Sequence, residues 1–203
     1  MPPGAFSVGQ VPLIDAIANR RSRRRFTDAA LTLEEQSFLL WATQGVTGEG
    51  PVLRAVPSAG ARHPFETYLV VSRVEGVTPG LYRYLPLEHQ LVFLEAYDTV
   101  AARAEAVWGE RQSLWGSAVV FIWTAIPYRT AWRYERLTPK LIALDAGHVC
   151  HALYLACEGI GAGTCAIGAY RQEQVDAILG LSPAAGNEDE FAVYIAPVGK
   201  VGA

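Results

Sequence analysis

The chain has 203 residues, 51% of them hydrophobic and only 18% charged, and 20 acids against 17 bases leave a formal net charge of -3. That balance excludes a disordered chain, and it excludes a whole-molecule field that would draw in nucleic acid or an anionic membrane. Three cysteines are too few for a secreted disulfide scaffold and point to a reducing, cytoplasmic setting.

Met1-Pro2-Pro3-Gly4 has no positive start followed by an apolar block, as a signal peptide requires. Residues 12–20 read as a short helix with Pro12 at its first turn and Leu13, Ile14 and Ile17 on one face. Five of the seventeen basic residues follow within Arg20-Arg21-Ser22-Arg23-Arg24-Arg25, closed by Phe26. Thr32 and Glu35 form a capping box, Leu33, Leu40 and Trp41 supply apolar positions, and Gly45 stops that helix. Residues 45–64 make a Gly-, Pro- and Ser-rich loop ending in Pro57-Ser58-Ala59-Gly60-Ala61. Strands are expected at 66–72, 80–85, 91–97, 118–124 and 191–198, all rich in β-branched or aromatic residues. Helices are expected at about 99–115, 128–136, 139–158 and 171–180. The longest apolar stretch, Ser117 to Ile126, is about half of a membrane-spanning helix. Strands mixed with helices, without strict alternation, favour α+β, and the absence of a linker or repeat favours a single domain over 1–203.

The basic run carries the clearest chemistry. Its usual meaning is a solvated face, but it ends a helix, contains a hydroxyl and runs into Phe26. Arginine forks beside a serine suit the phosphate of a small ligand, and no further basic stripe extends it for nucleic acid. Gly161-Ala162-Gly163-Thr164-Cys165-Ala166 matches a dinucleotide fingerprint in letters only, since it follows a helix and reads as a helix-to-strand turn. Asp145, His148 and His151 spread over about 120° of one helix, which suits packing or a pocket flank better than a metal. Cys150 and Cys157 read as buried structural thiols. Ser58 and His63 share a loop but lack the glycine of a nucleophile elbow, so a backbone that approaches a ligand closely explains them better than hydrolysis.

Together these segments resemble the flavin-dependent nitroreductase superfamily, through almost the whole chain. The likeness rests on Arg20-Arg21-Ser22-x-Arg24-x-Phe26, Leu39-Leu40-Trp41-Ala42-Thr43-Gln44-Gly45, Pro57-Ser58-Ala59-Gly60-Ala61-x-His63-Pro64, Gly80-Leu81-Tyr82-Arg83-Tyr84, Asp145-Ala146-Gly147-His148 and Cys165-Ala166-Ile167-Gly168. The second, third and fourth of the later blocks look most like the branch that oxidises azolines to azoles in peptide natural products. The resemblance implies an α+β sandwich with a mainly antiparallel sheet flanked by helices, and a homodimer with FMN at its interface. It implies that Arg20, Arg21, Ser22 and Arg24 hold the phosphate and ribityl end. Pro57, Ser58, Ala59 and Gly60, from the other subunit, would line the ring edge. Cys165, Ala166, Ile167 and Gly168 would lie against the isoalloxazine, with a backbone donor near N5 or O4. The Lys-Tyr pair of azoline oxidases is matched by Arg133-Tyr134, and an arginine stays protonated and does not serve as a base. With Gly199-Lys200-Val201-Gly202-Ala203 as its last residues, the sequence is expected to lack the long C-terminal arm that many nitroreductases wrap around their partner. The implied activity is ping-pong hydride transfer from NAD(P)H or an organic donor to a nitroaromatic, quinone or modified peptide. The alternative is a flavin-binding protein without turnover, serving storage, sensing or docking.

Overall fold

The computed structural model describes residues 6–48, 50, 52–101, 116–181 and 190–202, so most of the helix expected at 99–115 lies outside the described residues. Six strands, β1 (Phe65–Val71), β2 (Gly80–Leu85), β3 (Gln90–Ala96), β4 (Val119–Ala125), β5 (Ala162–Thr164) and β6 (Phe191–Lys200), pair in the order β3-β2-β1-β4-β6-β5. Every strand pairing is antiparallel. The five-strand expectation holds with small shifts of boundary, and β5 is the addition. It is three residues long and exists through its pairing with β6, so no run of its own marks it.

Five helices are described: α1 (Leu13–Asn19), α2 (Leu33–Gln44), α3 (Tyr128–Tyr134), α4 (Thr138–Gly159) and α5 (Gln172–Ile178). The α2 capping box forms as the letters suggest, with Thr32 Oγ1 accepting from the Glu35 amide and Glu35 Oε2 from the Thr32 amide. None of the helices, among the described residues, is long and apolar enough to cross a membrane.

The sheet is covered on both faces, which explains why β1 and β4 are buried at every position. Side chains alternate across a strand. Leu69, Val71, Phe121 and Trp123 therefore meet Leu39 and Leu40 of α2 and Ile142, Val149 and Leu153 of α4. The intervening Tyr68, Val70, Val120 and Ile122 meet Val175 and Ile178 of α5. Each large apolar side chain so buried contributes about 1.5–3 kcal/mol, enough to hold α4 rigidly on the sheet. Lys200, at the end of β6, then ties three elements together. Its ammonium pairs with Glu35 of α2 and donates to the Ile160 carbonyl just past α4 at 2.7 Å.

The apolar face of α1 behaves differently. Leu13, Ile14 and Ile17 are 66%, 73% and 55% exposed, and Ala16 alone is buried.

Candidate functional site

Two groups of the expected site residues assemble, both on α4 and at different levels of it. The first begins where the arginine run leaves α1. Arg21 turns its guanidinium back onto the Ala18 and Arg20 carbonyls at 3.0 and 2.8 Å, closing the helix end. Ser22 bridges Thr164 of β5, and the Arg23 amide donates to the Thr164 carbonyl at 2.9 Å. Gly163 permits this approach, since a Cβ there would stand 2.6 Å from Arg23 Cδ. Arg23, Arg24 and Arg25 then line a recess of about 440 Å³ with Val201 and Gly202, and Arg23 also reaches Glu158 at 3.4 Å.

Tyr154 of α4 joins this run to the turn after β5. Its hydroxyl accepts from the Ala166 amide at 2.8 Å and lies 3.1 Å from Ser22 Oγ. The Arg20 guanidinium sits over its ring, 5.5 Å from the centroid. Either hydroxyl can donate in the Ser22–Tyr154 contact, since each carries a proton and a free lone pair. Ile167 exchanges backbone bonds with Ile195 at 2.7 and 3.2 Å, so the Cys165–Gly168 turn is pinned to β6. Cys165 is buried there. Burial pushes the Cys150 thiol up to about 12 and raises Cys157 further along α4, so both stay protonated and unreactive.

The second group surrounds Asp145. This acid stands on the apolar stripe of α4, buried, and every bond it makes holds the Pro57–Gly60 loop. Ser58 Oγ donates to Oδ2 at 2.6 Å, and the Ala59 amide lies 3.1 Å from each carboxylate oxygen. Ser58 Oγ in turn accepts from the His63 amide at 2.9 Å. The loop carries Gly60, Ala61 and His63 at φ of 58°, 53° and 47°, and two of these are residues with side chains that resist the left-handed region. Gly60 also admits Tyr134, whose hydroxyl a Cβ at this position would meet at 2.4 Å. Around them, the Arg62 guanidinium lies 4.9 Å from the Trp132 ring centre and that of Arg133 5.5 Å from Tyr134. Tyr134 is half-buried and Arg133 exposed.

His63 is no partner base for Ser58, because its Nε2 meets the Val52 carbonyl at 2.8 Å. Burial holds its imidazole below the ordinary range, so the folded chain keeps it neutral where the unfolded chain takes a proton. Its contribution to stability is therefore full above about pH 6.5 and is lost as the pH falls below that value. His63→Gln should reduce the acid-side fall of the melting temperature, and an unchanged pH profile would show that this histidine does not drive it.

Asp145 and Tyr154 are nine residues apart on α4, which puts them about 13.5 Å apart along the axis and on opposite faces. One chain thus carries an arginine–serine–tyrosine group at one level and a loop–tyrosine group at another. Asp145 was visible in the sequence as one of the set Asp145, His148 and His151 that suits packing or a pocket flank, although its partners were not. Tyr154 carried no signal, since a tyrosine four residues after Cys150 reads as core. Arg23 and Arg25 were inseparable from the rest of the run.

Residues 17–200 match the Nitroreductase family, and the chain belongs to that family. The protein MJ1384 of Methanocaldococcus jannaschii, which bears a nitroreductase name, is 31% identical over 194 residues, 95% of this chain and 93% of its own length. The trifolitoxin-processing protein TfxB of Rhizobium leguminosarum bv. trifolii is 33% identical over 143 residues, 68% of this chain but 38% of its own length. That likeness agrees with the azoline oxidase-like branch. Among solved structures, a protein of Ralstonia eutropha JMP134 described as a nitroreductase superposes with a TM-score of 0.79 at 26% identity, covering 100% of this chain and 88% of its own.

Proposed function

We propose that residues 1–203 form a single FMN-binding domain of a homodimeric, cytoplasmic oxidoreductase that turns over by a ping-pong route. The donor is NAD(P)H or an organic reductant, and the acceptor is a small planar molecule of nitroaromatic, quinone or modified-peptide type. The observation that carries this reading is the joining of Arg20, Ser22 and the Ala166 turn through Tyr154. The residues fit a phosphate: Arg20 and Arg24 bring charge, Ser22 brings a hydroxyl, and Arg21, occupied by the α1 carbonyls, holds the backbone that presents them.

FMN, when bound, supplies the carrier that accepts hydride from one substrate and passes it to the next. The chain orients and insulates it. The Ala166 and Ile167 amides are both spent within the protein, so a backbone donor to the ring is expected from Cys165 or Gly168. Pro57, Ser58, Ala59 and Gly60, stiffened by Asp145, line the ring edge of the other subunit. Tyr134, beside Gly60, donates a proton to the acceptor, and Arg133 contributes charge rather than base strength.

Purified protein should show a flavin spectrum and release about one FMN per chain, with reduction by NAD(P)H in the absence of acceptor. A colourless protein that fails to bind added FMN would overturn the reading. Bound FMN that no donor reduces would favour a binding protein without turnover. The exposed α1 face supports dimerisation, because three adjacent large aliphatic side chains in water are disfavoured. Ile14→Glu with Ile17→Glu is expected to convert a dimer to monomer in sedimentation analysis and to release flavin. A variant that stays dimeric and yellow would move the interface elsewhere.

A further inference from the structure

Near the Asp145 group, several arginines are already spent. Arg83 and Arg129 both pair with Glu66, and Arg54 donates to the Gln44 side-chain carbonyl at 3.0 Å. Arg62 is fixed but not spent. Its Nε donates to the Gly60 carbonyl at 2.8 Å, and its guanidinium lies over Trp132, 4.9 Å from the ring centre. Nη1 and Nη2 have no partner among the described residues, and neither is buried. Two contacts thus hold the guanidinium in place while its terminal pair of nitrogens stays open. Such a fork matches the two oxygens of a carboxylate, and fixing it in advance lowers the entropy lost on binding.

The fork stands beside the proposed proton donor. Gly60, whose carbonyl holds Arg62, is also the residue against which the Tyr134 hydroxyl lies. A single residue therefore separates the two groups, and a ligand that meets one can reach the other. Trp132, 57% exposed, offers a ring face alongside.

The local charge agrees. Residues 57–64 contain Arg62 and no acid, and residues 128–137 hold Arg129, Arg133 and Arg136 against Glu135. Asp145, beneath the loop, is occupied by Ser58 and the Ala59 amide, and Glu66 by its two arginines. On a chain of net charge -3, this end is positive and concentrates anions.

We propose that Arg62 is a specificity-determining residue that binds the carboxylate of a planar aromatic acid, with the ring of the acid beside Trp132. That acid is the acceptor, a step that rests on the oxidoreductase reading.

Two measurements on the full chain, as purified, test this. Calorimetric titration should show saturable benzoate binding, weakened by added salt, with the neutral isostere benzamide at least tenfold weaker. In turnover, 4-nitrobenzoate should exceed 4-nitrobenzamide at least tenfold in kcat/KM. The carboxamide withdraws electrons more strongly, so intrinsic reactivity runs against that order. Each turnover converts the nitro group to nitroso and water, using the hydride of NAD(P)H and one further proton. Arg62→Gln should reduce both ratios at least fivefold. Arg62→Lys, which keeps the charge but not the fork, should fall between. Benzamide bound as tightly as benzoate, or ratios that both variants leave at the parental value, would overturn the proposal. Flavin reduction by NAD(P)H without acceptor tests the oxidoreductase reading separately. If it occurs with no preference for the carboxylate, this proposal alone fails. If benzoate binds through Arg62 but no donor reduces the flavin, the Arg62 site is supported and the oxidoreductase reading falls.

Discussion

Asp145→Ala should lower the melting temperature by roughly 6–12 °C and cut turnover at least tenfold. The carboxylate receives three short contacts from Ser58 Oγ and the Ala59 amide, and it is 3% exposed. Hydrogen bonds to a charged group are worth about 1.5–3 kcal/mol each, and they are not additive when shared, so a total near 3 kcal/mol is reasonable. For a chain of this size, each kcal/mol moves the midpoint by about 2–4 °C. Removal of the acid also frees the left-handed backbone at Ala61 and His63, which the clamp holds in place. The loop would then relax and take Gly60 away from Tyr134. Asp145→Asn, which keeps the shape and one acceptor oxygen, should fall between the two. Thermal melts within a degree or two of the parent for Asp145→Ala would show that the loop is held by other contacts.

The second large effect is on cofactor affinity. Arg20→Ala combined with Arg24→Ala should weaken FMN binding about 100-fold and leave riboflavin, which has no phosphate, nearly unchanged. Each guanidinium bonded to a phosphate contributes about 1.5–3 kcal/mol when well buried, less where solvent and salt screen it. Arg24 is exposed, so a combined loss near 2.8 kcal/mol, or two factors of ten, is the appropriate scale. Tyr154→Phe would act on the same site by a different route. It keeps the ring under Arg20 but removes the hydroxyl that joins Ser22 to the Ala166 amide. Equal losses for FMN and riboflavin in the double arginine variant would place the phosphate away from Arg20 and Arg24.

If Tyr134 meets the acceptor, as we propose, its surroundings favour particular acceptors. Arg62 stacked on Trp132, and Arg133 beside Tyr134, give the loop end of the site an aromatic and cationic wall. Planar acceptors that carry a carboxylate or sulfonate match such a wall better than cationic ones.

Much of this molecule was legible in order of sequence. The strands β1 and β4 are unbroken β-branched and aromatic runs because both faces of the sheet are covered, and such runs identify themselves. The Thr32 and Glu35 capping box is a local pattern whose two bonds close within one turn, so its letters suffice. The arginine–serine run and the Pro57–Gly60 loop were also evident, since unusual residues are concentrated there. What the letters could not supply were relations across long separations. Strand β5 exists through its pairing with a strand more than thirty residues later. Tyr154 and Ser22 are 132 positions apart, and Asp145 and Ser58 are 87 apart. Composition and periodicity follow from interactions a few residues long, so the sequence by itself determines elements, caps and the kind of chemistry available. Which donor meets which acceptor depends on how α4 crosses the sheet, and that crossing is decided by the packing of the whole core.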